Sequence, residues 1–218
     1  MSLPKEEIYN PFRNFKYQII GGKIVSMAPL ADQDHGIVSF GLGYIFKNYL
    51  KRKNCKKCRV YHDNAYLRLD VISKEKNIKF PDECKNDKFI PDVMIICDKS
   101  IGTSKGVIGT PELIVEVLSP RTEEYDITLK MQVYALIGVK EYWIVDYKKK
   151  SVAIYDLKDG NYSLRKIYRK YSQVELEGIE EERRDIGSSI EIITEFSPTV
   201  FPDLVIQIDD VFDDLIEE

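Results

Sequence analysis

The stretch from Thr110 to Val145, TPELIVEVLSPRTEEYDITLKMQVYALIGVKEYWIV, constrains the fold more than any other part of the chain. Leu113, Ile114, Val115, Val117 and Leu118 make a continuous apolar run of strand length, the pattern of a strand buried on both faces. Glu116 interrupts it. A carboxylate there opposes folding unless it is paired or holds a metal. Two readings stay open: a strand end whose Glu reaches solvent or a structural Arg or Lys, or a functional acid. Ser119-Pro120 ends the strand, Thr122 is an N-cap with Glu123 and Glu124 in the first turn, and Gly138 is a C-terminal stop. At about 100° per residue, Lys130 points between Ile127, Val133, Tyr134 and Ile137, at the centre of an apolar face. Either Asp126, four residues earlier, pairs with it on the helix surface, or Lys130 reaches over the sheet towards Glu116.

The remaining chain supplies partners for this unit. Lys16–Ile20, Gly21-Gly22 and Lys23–Met27 read as a β-hairpin. A helix is predicted from Asp34 to Lys53, its stripe Val38, Leu42, Ile45 and Tyr49 continuing back to His35, while Gly36, Gly41 and Gly43 weaken it. His35 is then either a packed helix-end histidine or a site residue. Arg59–Val71 reads as extended and Ser73–Lys88, with Pro81, as a loop. Pro91-Asp92 leads into Val93–Cys97, since proline is tolerated at a strand's first position. Asp92 thus opens one buried strand and Glu116 lies in the next, joined through Gly102, Gly106 and Gly109. Tyr142–Tyr147 and Ser151–Leu157 alternate around Lys148–Lys150, and Asp159-Gly160 turns into Tyr162–Tyr168. Glu175–Asp185 reads as exposed, and Ser189–Ile193, Leu204–Ile208 and a short acidic helix, Asp210–Ile216, close the chain. The order of elements predicts one α/β domain over residues 1–218, with a mixed central sheet flanked by helices and added β-hairpins.

Composition adds limits. With 218 residues, 44% hydrophobic and 11% aromatic, one sizeable core is expected. No segment resembles a leader peptide and no apolar run reaches the ~20 residues that span a bilayer, so a cytoplasmic protein is expected, with no membrane partner. The net charge of -4 does not announce nucleic-acid binding. Acidic residues gather at Asp209, Asp210, Asp213, Asp214, Glu217 and Glu218, which leaves room for a basic surface elsewhere. Lys51, Arg52, Lys53, Lys56, Lys57 and Arg59 are the basic cluster, either a solvated helix end or a phosphate-contacting patch. Cys55 and Cys58 have the gap of a metal knuckle, but Cys84 and Cys97 do not complete a zinc pattern, so free thiols in a reducing compartment are the expectation.

Two carboxylates on adjacent strands with a lysine nearby suit phosphodiester hydrolysis: oxygen ligands take Mg²⁺ or Mn²⁺, and an ammonium stabilises charge growing in the transition state. PDVMIICD, GTPELIVEVLSP, Asp126 and Lys130 ahead of a tyrosine, and GVKEYWIVD together resemble the Uma-type family of restriction endonucleases within the PD-(D/E)XK nuclease superfamily. Weaker echoes are the Gly-Gly hairpin followed by Met27 and Pro29, His35 at the head of the first helix, and FPDLVIQIDDVF.

The resemblance implies a restriction-endonuclease-like core and a Mg²⁺- or Mn²⁺-dependent endodeoxyribonuclease acting on DNA. It makes Asp92 and Glu116 the metal ligands, Lys130 the catalytic lysine and His35 a contributor near the metal. Many nucleases of this fold act as dimers, which implies a homodimer. The superfamily's lysine would stand at position 118, where this chain has Leu118; Lys130 is its replacement from the following helix. Where relatives often carry Glu after the hairpin glycine, this chain has Lys23. The literal string Pro81-Asp82-Glu83-Cys84-Lys85 is discarded, because contiguous residues cannot place two acids on separate strands. The alternative is a non-catalytic nucleic-acid-binding or interaction protein on the same fold.

Overall fold

The computed structural model describes residues 17–26, 33–81, 84, 87–120, 122–186 and 192–215, and the first element among them is the hairpin β1 (Tyr17–Ile20) and β2 (Lys23–Ser26). Gly21 and Gly22 turn it at φ +56° and +71°, a pair of left-handed residues that glycine adopts at least cost. Both turn amides donate to the Asp87 carboxylate, at 2.8 and 3.0 Å. Helix α1 (Gln33–Arg52) follows, then β3 (Arg59–His62), α2 (Leu69–Lys76) and β4 (Val93–Ile96). A small hairpin, β5 (Gly102–Thr103) and β6 (Gly106–Val107), leads to β7 (Leu113–Val117).

β7 is followed by a single turn of helix, α3 (Glu123–Tyr125), a π-helical turn (Asp126–Lys130) and α4 (Met131–Ile137). Gly138, at φ +88°, closes α4 and sends the chain into β8 (Glu141–Asp146). β9 (Ser151–Lys158) and β10 (Asn161–Arg169) extend the sheet. Helix α5 (Gln173–Ile186), the short pair β11 (Glu195–Phe196) and β12 (Ile206–Gln207), and α6 (Ile208–Phe212) complete the described chain.

Six strands form the central sheet in the order β10-β9-β8-β7-β4-β3. Every neighbouring pair is antiparallel except β7 and β8, which run parallel. A parallel pair needs a crossover, and the helical stretch from Glu123 to Ile137 provides it by lying across one face. The apolar runs VMII and LIVEV are buried along their full lengths because each face has its own cover. On one face Val38, Leu42 and Phe46 of α1 meet Val93, Val115 and Trp143. On the other, Val133, Tyr134 and Ile137 of α4 meet Met94, Ile114 and Tyr142.

Several expectations need correction. Leu69–Lys76 is helix, although the sequence reads as extended to Val71 and as loop from Ser73; Leu69 and Ile72 turn inward together there, a spacing of three that a strand cannot present to one face. The helix expected to run unbroken from Thr122 contains a π turn. Free thiols are the wrong expectation for two cysteines: Cys58 and Cys97 form a disulfide, while Cys55 and Cys84 are free. Arg59 pairs with Ile96, so the next residues outward, Cys58 and Cys97, stand opposite each other across β3 and β4. With Cys58 so engaged, the Cys55–Cys58 knuckle is not a zinc half-site. Met27, Pro29, Asp82, Glu83, Lys85, most of Ser189–Ile193, Ile216, Glu217 and Glu218 lie outside the described residues.

Candidate active site

β4 and β7 bring two acids to one end of the sheet. Val93 pairs with Val115, so one further step of that antiparallel register sets Asp92 opposite Glu116. The Val117 amide donates to Asp92 Oδ2 at 2.7 Å and fixes that carboxylate against β7. Even-numbered residues of both strands face α4, as Met94 and Ile114 do, and Glu116 follows them.

The crossover supplies the cation. Lys130 Nζ lies 3.0 Å from Glu116 Oε2 and 2.6 Å from Asp126 Oδ1, with all three side chains at 2% exposure or less. Lys130 therefore reaches over the sheet to Glu116, and its pair with Asp126 within the helix is buried rather than on the helix surface. The π turn over Asp126–Lys130 widens the backbone at this position, a local feature that often accompanies functional sites. Thr122 Oγ1 donates to Asp126 Oδ2 at 2.8 Å. Asp126 Oδ1 has the ammonium as its ion partner but no hydrogen bond of good geometry among the described residues.

Two tyrosines, Tyr134 and Tyr142, complete the cage with their hydroxyls. Tyr134 donates its hydroxyl to Glu116 Oε1 at 2.6 Å, and Tyr142 donates to the Asp126 backbone carbonyl at 2.9 Å. The signal for Tyr134 was present in the spacing: Asp126, Lys130 and Tyr134 stand four residues apart on one helix face. His35 arrives from the start of α1, with Nε2 3.5 Å from Asp92 Oδ2. The structure thus gathers Asp92, Glu116, Lys130 and His35 around one point. Lys23 lies on the first hairpin, exposed.

Burial decides the electrostatics. Desolvation pushes the Glu116 carboxyl up to about 8; Lys130 pulls against this, and the Asp126 and Asp92 carboxylates add to it. Asp126 is raised by the same desolvation, with Lys130 and Thr122 opposing. Burial alone would lower Lys130, but Asp126, Glu116 and Asp92 outweigh it and hold the ammonium above its ordinary range. His35 behaves alike: burial lowers it, and the Asp92 contact raises it overall. Three carboxylates therefore surround a single firmly charged lysine.

A divalent cation held beside Glu116 would favour the ionised form of a carboxyl whose charge burial disfavours. Among the described residues no three His, Cys, Asp or Glu side chains form a ready-made metal cage. The donor set fits instead the way Mg²⁺ is usually held, by one or two carboxylates with water and substrate phosphate completing the octahedron. Asp92 and Glu116, opposite each other on adjacent strands, are the residues that would hold it.

A six-stranded mixed sheet with helices on both faces defines a mixed α/β fold, and comparison bears this out. The crystal structure of a "putative nuclease belonging to DUF820" from Anabaena variabilis ATCC 29413 superposes with a TM-score of 0.57 at 15% identity, covering 90% of this chain and 89% of the other. The Uma2 family model, described as "Putative restriction endonuclease", matches residues 6–187, and the chain belongs to that family. The uncharacterized protein slr1290 of Synechocystis sp. is 27% identical over 165 residues, 75% of this chain and 78% of the relative. No helix among the described residues is long and apolar enough to cross a membrane.

Proposed function

We propose that the chain is a metal-dependent endodeoxyribonuclease, with Asp92 and Glu116 as metal ligands and Lys130 as the catalytic lysine. The observation that carries this reading is the buried ammonium of Lys130, held between Glu116 and Asp126 at the end of the strand that faces Asp92. A lysine so firmly charged stabilises the negative charge that develops on a phosphoryl oxygen in the transition state, and it orients the attacking water. Mg²⁺ or Mn²⁺, when bound, supplies a water of lowered pKa and offsets charge on the leaving oxygen. Tyr134 keeps Glu116 in place through its hydroxyl. His35 braces Asp92 from the other side. Asp126 holds Lys130 in position, so that the ammonium does not collapse wholly onto Glu116. Both strands of a duplex would be reached by two copies, and a homodimer is part of the proposal.

One observation favours a second reading, a non-catalytic DNA-binding protein on the same fold. Both Glu116 oxygens are already engaged, by Tyr134 and by Lys130, and the side chain is 2% exposed. Cleavage of supercoiled and single-stranded DNA separates the two. Wild-type protein is expected to nick DNA in Mg²⁺ or Mn²⁺, and neither in chelator nor in Ca²⁺, whose looser coordination suits oxygen sites without organising this reaction. Glu116→Gln and Lys130→Ala, each shown folded by circular dichroism, are expected to be inactive. Wild type and both variants equally inert would hand the case to the second reading; equal activity in all three would remove these residues from the site.

A further inference from the structure

The outer face of α1 is built unlike an ordinary solvated helix. Phe40 and Tyr44 are 64% and 57% exposed, and their rings lie 6.4 Å apart at an interplanar angle of only 16°. His62 of β3 stands edge-on to Phe40 at 5.9 Å and is itself tied to Ser39 Oγ at 3.2 Å, so the platform is braced from behind. At about 100° per residue, Phe40, Tyr44, Lys47 and Lys51 fall within one narrow stripe. Lys47, Lys51 and Arg52 are exposed, and the basic run continues through Lys56, Lys57 and Arg59.

The stripe approaches the candidate active site through β3 rather than through His35, which touches Asp92 but lies about 140° round the helix from Phe40. His62 pairs with Val93, and the next amide, Asp63, donates to the Asp92 carbonyl at 3.0 Å. From Phe40 to Lys51 the helix rises about 16 Å, the length of a few nucleotides.

We infer that this face is a stacking platform for unpaired bases of single-stranded DNA, with Phe40 and Tyr44 taking base faces and Lys47 and Lys51 the flanking phosphates. A scattered exposed aromatic is ordinary. Two parallel rings continuous with a line of lysines match what a single strand offers, π faces alternating with negative charge. A second copy of this chain would bring its own lysines against these and is disfavoured by charge. The inference deepens the nuclease reading and rests on it for the strand's position, since the platform would hold unpaired DNA leading away from Asp92 and Glu116.

Fluorescence anisotropy with a labelled mixed-sequence single strand, in chelator so that nothing is cut, tests it. Phe40→Ala and Tyr44→Ala are each expected to weaken binding by about tenfold or more, and Ile167→Ala, an exposed apolar residue on the far edge strand, is expected to leave it unchanged. A strand of abasic residues of equal length should bind wild type more weakly than the intact strand binds either single variant. Both helix variants exchange an exposed aromatic for a better helix former, so loss of folding is not the expected cause, and thermal melting checks it. Hydrolysis of bis(4-nitrophenyl) phosphate in Mn²⁺, a substrate too small for the platform, should be equal in wild type and both variants. Hydrolysis retained with unchanged DNA affinity in the variants overturns the platform alone. Lost affinity with no hydrolysis even in wild type supports the platform and removes the nuclease reading. Tighter binding of duplex than single strand, or a dimer in wild type that Phe40→Ala and Tyr44→Ala convert to monomer, overturns the platform as well.

Discussion

Glu116→Gln is expected to make the metal-free protein more stable at alkaline pH and to leave it almost unchanged at acid pH. The folded-state carboxyl titrates near 8, against an ordinary 4.5, chiefly because burial disfavours its charge. Between those values the unfolded chain has released the proton and the folded one retains it, so wild-type stability falls as pH rises through that window. Integrated over the whole window, the loss approaches about 5 kcal/mol. Glutamine resembles the protonated acid in size, and the Tyr134 hydroxyl can turn from donor to acceptor to meet its amide, leaving Lys130 neutralised by Asp126. Urea unfolding in chelator at pH 5 and at pH 8.5 measures the difference, which should grow from near zero to a few kcal/mol in favour of the variant. Saturating Mg²⁺ should recover wild type at pH 8.5 and do nothing for the variant, because only the folded wild type offers the second carboxylate. Parallel pH profiles for the two proteins would refute the argument that Glu116 is buried against its own charge.

Tyr134→Phe removes the hydroxyl that donates to Glu116 at 2.6 Å; urea unfolding should show a loss of about 1.5–3 kcal/mol above pH 8, where the acceptor is charged, and a smaller loss at pH 5. Gly41→Ala should raise stability by roughly 0.5–1 kcal/mol in thermal melts, since a Cβ there meets nothing within 4 Å and a helix interior disfavours glycine; a lower melting temperature would mean that face is covered. Thiol labelling of denatured protein should find two reactive cysteines before reduction and four after it, because Cys58 and Cys97 are joined; four before reduction would remove the bond.

How much was legible depends on whether a residue's role shows in its type and spacing or only in three-dimensional register. β4 and β7 could be read because strands buried on both faces carry unbroken apolar runs, against which Glu116 stands out. Lys130 could be read because the helical period places a charge where only apolar neighbours belong. Tyr134 was hidden by its own ring, which satisfies the apolar face while the hydroxyl does polar work. The Cys58–Cys97 pair needed the register of β3 against β4, which no local pattern supplies. The π turn has no residue type that marks it, and α2, at eight residues, is too short for periodicity to outweigh its polar composition.

Glu141 opens β8 at 1% exposure, and its oxygens accept from Trp143 Nε1 at 2.8 Å and from the Thr199 amide at 2.6 Å, with Arg165 Nη1 3.2 Å away. Arg165 in turn holds Asp156 and the Ser197 carbonyl. A buried carboxylate at the start of a central strand therefore waits on a segment more than fifty residues further along the chain. During synthesis β7, β8 and β9 can pair before Thr199 exists, yet that pairing would bury Glu141 with part of its bonding unmet. The sheet is in this sense written to close late, and an interrupted chain ending before residue 197 would expose its own incompleteness at a single acid.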